Sequence, residues 1–369
     1  MDKLEGFRDE YNGAQDLDII LRMTEIVDEK DIIHIPKVLY HWRVWETSTA
    51  GNPEIKLYAY ESGRKAVEDH INRIGLKGTV ERDPEMYGVY RVKYDVDENK
   101  DTVSILVSNY ESKENLNRCV SSIINNTSYK NYEICIVKND EDNLEEIKNI
   151  INSSNKDNKN NNIKYFECDG KTVFAKLNEV AKNIESKFLV FLNGNIEIKD
   201  SYWLTDLIGF ARRENTGVVS GKILDEIGKI VFAGRVVNGK GILDLNKGLN
   251  SKEYGYFSKE SHIQNVTSGT FELMAIEKEK FDKVSGFDED LECLSDVELS
   301  LKLIDSGYLN VYNPYVTVVT YENPFVSLNN KEKDEAEKII TKRNITVDKY
   351  YNINLDQENN MYKVRRDKV

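Results

Sequence analysis

The hydrophobic pattern changes character near residue 100. Before that point apolar residues recur mainly at helical spacing. The stretch 14–27, AQDLDIILRMTEIV, places Leu17, Ile20, Leu21 and Ile26 on a helical period. HIPKVLYHWR (34–43) reads as a short strand interrupted by Pro36. IKLYAYESGRKAVEDHINRIG (55–75) predicts an amphipathic helix closed by Gly75 at its C-cap. GVYRVKYDV (88–96) alternates as a strand does.

From residue 102 the pattern becomes strand, helix, strand, helix. TVSILVSNY and YEICIV are near-continuous apolar runs, as expected for strands covered on both faces. Between them SKENLNRCVSSIINN carries Leu116, Cys119, Val120 and Ile123 on one helical face. IKYFEC, VFAKLNEVAKNI and KFLVFL continue the alternation, which predicts an α/β fold with a mostly parallel sheet. Right-handed crossovers would then bring the strand ends, and any ligand, to one edge. NSSNKDNKNNN (152–162) reads as a solvated low-complexity loop, and 217–255 as a looser glycine-bearing section. SDVELSLKLIDSG predicts a late helix, TVDKYYNINL an aromatic segment packed on the body, and 356–369 a frayed tail.

Composition narrows the class. The 369 residues are 40% hydrophobic and 31% charged, with a net charge of −13, which argues against a nucleic-acid groove. Cys119, Cys135, Cys168 and Cys293 form no CxxC pair and read as reduced thiols, and the four histidines are dispersed. No apolar run reaches the length of a membrane span, and MDKLEGFRDE is no signal peptide. The expectation is a cytoplasmic protein, with the inner face of the membrane as an alternative station.

VSILVSNYES, YKNYEICIVKND, FLVFLNGNIEI, GFDEDLECLSDVELSLKL and YYNINL occur in an order and spacing that resemble the family 2 glycosyltransferases, inverting enzymes of the GT-A fold. EGFRDEYNGAQDLDIILR and VLYHWR resemble the acceptor-side end of another such domain. The resemblance implies a remnant of an upstream GT-A domain with a linker helix over 1–95, an α+β appendage, followed by a GT-A domain over 100–350. Asp16 and His41 stand where that remnant would carry a base and a metal-ligating histidine. A structural role for 1–95 and completion by a separate chain both stand as readings. Bacterial tandem enzymes of this type build cell-surface polysaccharides, so the implied partners are a nucleotide-diphosphate sugar, a glycan or glycoconjugate acceptor, and another glycosyltransferase chain.

By the resemblance, Asp296 is the general base that takes the acceptor hydroxyl's proton; the bland alternative is a helix cap made with Ser295. Glu298, two residues on, does not share a helical face with Asp296, so one of the two is expected to face the pocket while the other caps or pairs. The family's metal-binding aspartates fall on Asn193-Gly194-Asn195, and its metal-ligating histidine near Thr320 and Tyr321. Mg²⁺ or Mn²⁺ is therefore doubtful, because neutral amides form a charge-poor site. Ser108, Asn109 and Tyr110 fall at the mouth of the first strand, where the donor's diphosphate would lie, with Asn193 and Asn195 beside them. Lys138 replaces an aspartate that would bond the base or ribose and is a candidate phosphate contact; Asn139, Asp140 and Asp142 follow it. Phe271 and Glu272 would crowd the donor if they line the pocket. Trp203 reads as core. Two functions stand: a sugar transferase acting through Asp296, or a catalytically degenerate domain kept for binding or assembly.

Overall fold

The computed structural model describes residues 4–41, 51–139, 143–157, 162–321 and 330–365. The chain divides into two compact units, Met1–Asp95 and Val96–Val369.

The first unit contains helices α1 (Gln15–Thr24) and α2 (Leu57–Arg73) and the antiparallel strands β1 (Gly78–Arg82) and β2 (Tyr90–Tyr94). Its centre is ionic as much as apolar. The buried Asp18 carboxylate accepts from both Arg8 and Arg22, and Arg22 also donates to the carbonyls of Leu4 and Gly6. Gly63 lets Tyr90 lie against α2, since a Cβ there would fall 1.9 Å from the tyrosine hydroxyl. Pro36 was expected to interrupt a strand, but residues 34–41 join no sheet ladder among the described residues.

The second unit is built on a ten-stranded sheet. In chain order come β3 (Val103–Ser108), α3 (Lys113–Asn125), β4 (Tyr132–Val137), α4 (Leu144–Asp157), β5 (Asn162–Phe166), α5 (Val173–Lys182), β6 (Phe188–Asn193) and β7 (Ile196–Ile198). Then follow α6 (Trp203–Ala211), β8 (Thr216–Leu224), β9 (Ile230–Phe232), the hairpin of β10 (Arg235–Asn238) and β11 (Gly241–Asp244), and β12 (Gln264–Val266). β13 (Leu273–Glu277), α7 (Lys278–Lys283), α8 (Ser295–Asp305), β14 (Leu309–Thr320) and α9 (Asn330–Arg343) complete it.

The sheet runs β12-β14-β8-β13-β6-β3-β4-β5, with β7 on β14 and β9 on β8. β6, β3, β4 and β5 are parallel, as are β14 and β8, while β13 runs against both neighbours. This is the α/β architecture with a mostly parallel sheet that the sequence pattern predicts. β3 and β6 are wholly buried because helices cover both faces. One face packs on a cluster that includes Phe174, Leu177, Phe191, Phe281, Phe287 and Leu299. Trp203 is core, its indole N–H donating to Thr127 Oγ1 at 2.9 Å. All four cysteines are free thiols.

Two segments depart from expectation. The asparagine-rich stretch is helical to Asp157, the end of α4, because Ile147 anchors that helix on the body. The tail folds back: Leu355 bridges Val364, and the Asp356 amide donates to the Lys363 carbonyl at 2.7 Å. Its anchor is Tyr362, buried and stacked on Tyr351 and Tyr256. Among the described residues no helix is long and apolar enough to cross a membrane.

α9 is clamped to α8 by ion pairs centred on Arg343, which meets Glu298 and Asp305. Arg343 donates from Nε and Nη2 to the two oxygens of Glu298, each at 2.8 Å. Burial alone would raise the Glu298 pKa, but Arg343 outweighs it and holds the carboxyl below its ordinary range. Its stabilising contribution is therefore complete at neutral pH and fades as pH falls through that depressed value. Arg343→Ala strands the carboxylate, so denaturant unfolding at pH 7 should show a loss of about 3–5 kcal/mol that shrinks on acidification.

Candidate functional site

The parallel pairing of β3 with β6 sets Ser108 beside Asn193 at the carboxyl edge of the sheet. The chain order reverses there, since β4 lies on one side of β3 and β6 on the other, a place where α/β sheets bind ligands. A cavity of about 530 Å³ opens at this edge over β3 and β4. Ser108, Asn109, Tyr110 and Lys138 all line it, together with Asn139. Asp140 and Asp142 lie outside the described residues.

Helix starts and lysines complete the wall. Ser112 caps α3 by accepting from the Asn115 amide, and Thr172 caps α5 by accepting from the Ala175 amide. The first residues of both helices line the cavity, as do Asn143, Glu146 and Ile147 at the start of α4. Helix N-termini carry partial positive charge and favour anions. Lys113, Lys171 and Lys176 join Lys138 around the cavity, with Lys113 paired to Glu146 at 3.0 Å. The Ser108 hydroxyl is buried in this wall with no hydrogen-bond partner among the described residues. Such a group costs folding free energy unless something satisfies it.

The Asn193-Gly194-Asn195 tip lies behind this wall, and both asparagines are buried. Asn193 Oδ1 accepts from the Asn195 amide at 2.8 Å. Asn195 Oδ1 accepts from the Glu111 amide and from Asn115 Nδ2, both at 2.9 Å, while its Nδ2 donates to the Asn109 carbonyl. Gly194 permits the close approach, since a Cβ there would fall 2.7 Å from Tyr110 Cβ. A divalent cation does not fit these two side chains: neither carries charge, and both carbonyl oxygens are engaged by N–H donors. Among the described residues no group of three His, Cys, Asp or Glu side chains is placed to hold a metal. Thr320 is buried at the end of β14; the Tyr321 ring stacks under Arg118 and its hydroxyl donates to Glu197.

Asp296 lies at the start of α8 and does more than cap it. Its Oδ1 accepts from the Val297 amide at 2.8 Å, and its Oδ2 from the Phe271 amide at 3.2 Å and from Arg235 Nη1 at 3.3 Å. Burial raises its pKa above the ordinary aspartate value, and Arg235 offsets this only in part. Arg235 also donates from Nε to Asp244, which Lys247 approaches at 3.4 Å. Burial opposes the Asp244 charge, yet Arg235 and Lys247 hold that carboxyl below its usual range. Glu298 is the one of the two that turns away, to Arg343.

Residues 270–272 connect the two parts. Phe271 gives Asp296 its amide and sets its ring edge-on against Phe174 of α5, at 5.0 Å between centroids. The Glu272 carbonyl accepts from the Asn193 amide at 2.9 Å. Neither Phe271 nor Glu272 lines the cavity over β3 and β4. Arg235 and the lysines at the helix starts were not picked out from sequence. For Arg235 no local signal existed, since Asp296 is 61 positions away. For the lysines, adjacency to N-caps was available as a signal.

Comparisons with known proteins add the following. Residues 104–283 match the family described as Glycosyl transferase family 2. The chain is 31% identical over 325 residues to the uncharacterized protein y4gI of Sinorhizobium fredii, covering 86% of this chain and 35% of that protein. It is 28% identical over 325 residues to the O-antigen biosynthesis protein RfbC of Myxococcus xanthus, covering 86% of this chain and 24% of that one. The chain thus spans about a third or less of the length of these relatives. Similar solved structures include GalNAc-T7 with UDP, GalNAc and Mn²⁺ (17% identity, TM-score 0.48, 66% of this chain and 49% of that one). Another is the mannosyltransferase PcManGT from Pyrobaculum calidifontis with GDP-Man and Mn²⁺ (13% identity, TM-score 0.44, 71% and 65%).

Asn195 ties the end of β6 to the 109–111 loop and to the Asn115 side chain of α3. Asn195→Ala should lower the unfolding free energy by about 1–3 kcal/mol, the cost of stranding buried polar groups. Proteolysis at the loop 109–112 should accelerate in the same variant.

Proposed function

We propose that this chain, whose residues 104–283 match the family described as Glycosyl transferase family 2, transfers a sugar from a nucleotide-diphosphate sugar to a glycan or glycoconjugate acceptor, with inversion. The observation that carries the donor site is the cavity over β3 and β4, where the unsatisfied Ser108 hydroxyl, the starts of three helices and four lysines converge. A diphosphate offers acceptor oxygens and negative charge, which suits a wall of hydroxyl, helix N-terminal and lysine donors. The name of the Myxococcus relative supports a cell-surface polysaccharide as the acceptor class.

In the transfer the acceptor hydroxyl oxygen bonds to the anomeric carbon as the bond from that carbon to the diphosphate breaks. The hydroxyl proton passes to Asp296, and the departing diphosphate takes the electron pair. Three N–H donors already occupy Asp296, and an ionised carboxylate offers about four lone-pair sites, so one lone pair is left for the proton, although the carboxyl is buried and does not line the cavity over β3 and β4. The raised pKa makes Asp296 a stronger base than an exposed aspartate. The cavity lysines and helix N-termini stand where charge builds on the leaving group, a role the Asn193–Asn195 tip does not offer to a metal.

The second reading is a degenerate domain that binds a donor or a partner without turnover. The tethered, uncharged Asn193–Asn195 tip is the observation that favours it.

Titration calorimetry with a panel of nucleoside diphosphates and their sugars separates the two. The transferase reading expects binding that is unchanged by Mn²⁺, and transfer in the presence of a glycan acceptor. Asp296→Asn should keep the donor affinity and lose transfer by about 10²–10⁴-fold, the usual contribution of a general base. Unchanged transfer would remove Asp296 from the mechanism, and binding without transfer by the native chain would support the degenerate reading. The acid limb of the rate profile should lie above the ordinary aspartate value of about 3.9, because the base must be ionised and its pKa is raised. Replacing Arg235 by Met removes the offsetting charge and should move that limb further up.

A further inference from the structure

Outside the cavity over β3 and β4, three buried polar side chains converge on Glu260 without satisfying one another. Lys222, near the end of β8, is 8% exposed; Asn246, after β11, and Glu260, before β12, are each 1% exposed. Among the described residues Glu260 Oε2 and Asn246 Nδ2 have no hydrogen-bond partner. No hydrogen bond or ion pair reaches Lys222 Nζ among them either. Burial pushes the Lys222 pKa below its ordinary value, and the nearby Glu260 charge offsets part of that. A buried ammonium and a buried carboxylate held apart are costly unless something polar satisfies both.

Strand register places this group on the same sheet edge as the donor cavity, beyond Asp296. Ser108 stands beside Asn193, Leu273 opposite Leu192 and Met274 opposite Ser220, so the edge runs from β3 through β6 and the start of β13 to the end of β8. Ser220 Oγ accepts from the Thr270 amide at 3.2 Å, and the next amide, of Phe271, donates to Asp296. Lys222 is two residues past Ser220 on the same face, about 7 Å along the strand. Asn246 follows by two residues the Asp244 that holds Arg235 beside Asp296.

The turn 254–258 roofs the group. Gly255 has an ordinary φ of −77°, so its backbone does not demand glycine. Its lack of a side chain leaves room instead: a Cβ there would fall 2.8 Å from Glu260 Oε2 and 3.3 Å from Asn246 Oδ1. Phe257 and Ser258 both have φ of 50°, a strained conformation for residues with a Cβ. The rings of Tyr254 and Phe257 are 60% and 79% exposed, while Tyr256 is stacked on the buried Tyr362.

We infer, resting on the transferase reading, that Lys222, Asn246 and Glu260 form a subsite for a neutral sugar unit of the acceptor glycan, reached when the turn 254–258 lifts. In an inverting displacement the attacking oxygen enters opposite the leaving diphosphate, so the acceptor extends from the base away from the donor cavity. Sugar hydroxyls both donate and accept: they donate to Glu260 Oε2 and accept from Lys222 Nζ and Asn246 Nδ2. An anion would be repelled by Glu260 and a cation by Lys222, which leaves a neutral polyol as the ligand class. The exposed rings of Tyr254 and Phe257 offer apolar faces to the C–H side of a sugar.

The test applies the whole chain to an array of immobilised bacterial surface polysaccharides and titrates it separately with nucleoside diphosphates. At least one polysaccharide should bind. Glu260→Gln and Lys222→Met should each weaken that binding by about tenfold or more, while nucleotide affinity stays within about twofold. The double variant buries neither charge, so it should melt at or above the native temperature. No bound polysaccharide overturns the inference, as does equal binding by the variants. A double variant that melts below the native chain marks a purely structural pair and overturns it too. Nucleotide binding and transfer that ignore both substitutions sink the subsite and leave the transferase reading standing. Polysaccharide binding that follows them, in a chain that binds no nucleotide, keeps the subsite and removes the transferase reading.

Discussion

The carboxyl edge of the sheet depends on one side chain, the Asn195 amide, which holds the end of β6 against the loop after β3. Through it the Asn109 carbonyl, the Glu111 amide and the Asn115 side chain are fixed relative to one another. That fixes the left-handed Asn109 (φ 55°), a conformation asparagine tolerates better than most residues. Ser108 and Tyr110, on either side, then face the cavity with little freedom. A carboxylate at 195 would keep the two N–H contacts but set an oxygen against the Asn109 carbonyl. The tip is thus built as a neutral tether, and its chemistry cannot be changed without reshaping the wall in front of it.

A different economy governs Asp296. Burying this carboxylate raises its pKa, so the folded chain binds its proton more tightly than the unfolded chain does. As pH rises past the unfolded value, ionised Asp296 therefore works against folding. Arg235 limits that cost and is itself held by Asp244, which Lys247 approaches in turn. The alternation of charges lets four buried or half-buried ionisable groups share one region. Breaking any pair leaves an uncompensated charge, which is far more costly than the pair is stabilising.

The sheet was legible in the sequence because strands covered on both faces leave a continuous apolar signature, and β3, β4 and β6 carry it plainly. The lack of carboxylates at the tip was legible too. The inward aim of Asn193 and Asn195 was not, because an asparagine reads the same whether it tethers a loop or faces a ligand. Arg235 escaped notice because its meaning comes from Asp296, which only the tertiary fold brings near. The tail, expected to fray as a terminus, is instead held by Tyr362 between two other tyrosines together with backbone bonds such as Asp356 to Lys363.

Asp16 and Asp296 show how far a motif reaches. Each opens the second position of a helix, each accepts from the amide that follows it, and each comes after a left-handed turn that ends in glycine. Local sequence therefore supplies the turn, the helix start and one hydrogen bond in both. Asp296 is also buried, accepts from the Phe271 amide and faces Arg235, all of it contributed by residues distant in sequence. Asp16 lies exposed. The difference between a helix-start aspartate and a candidate base is the cover around it, so the motif marks where a base can stand and the rest of the sheet decides whether one does.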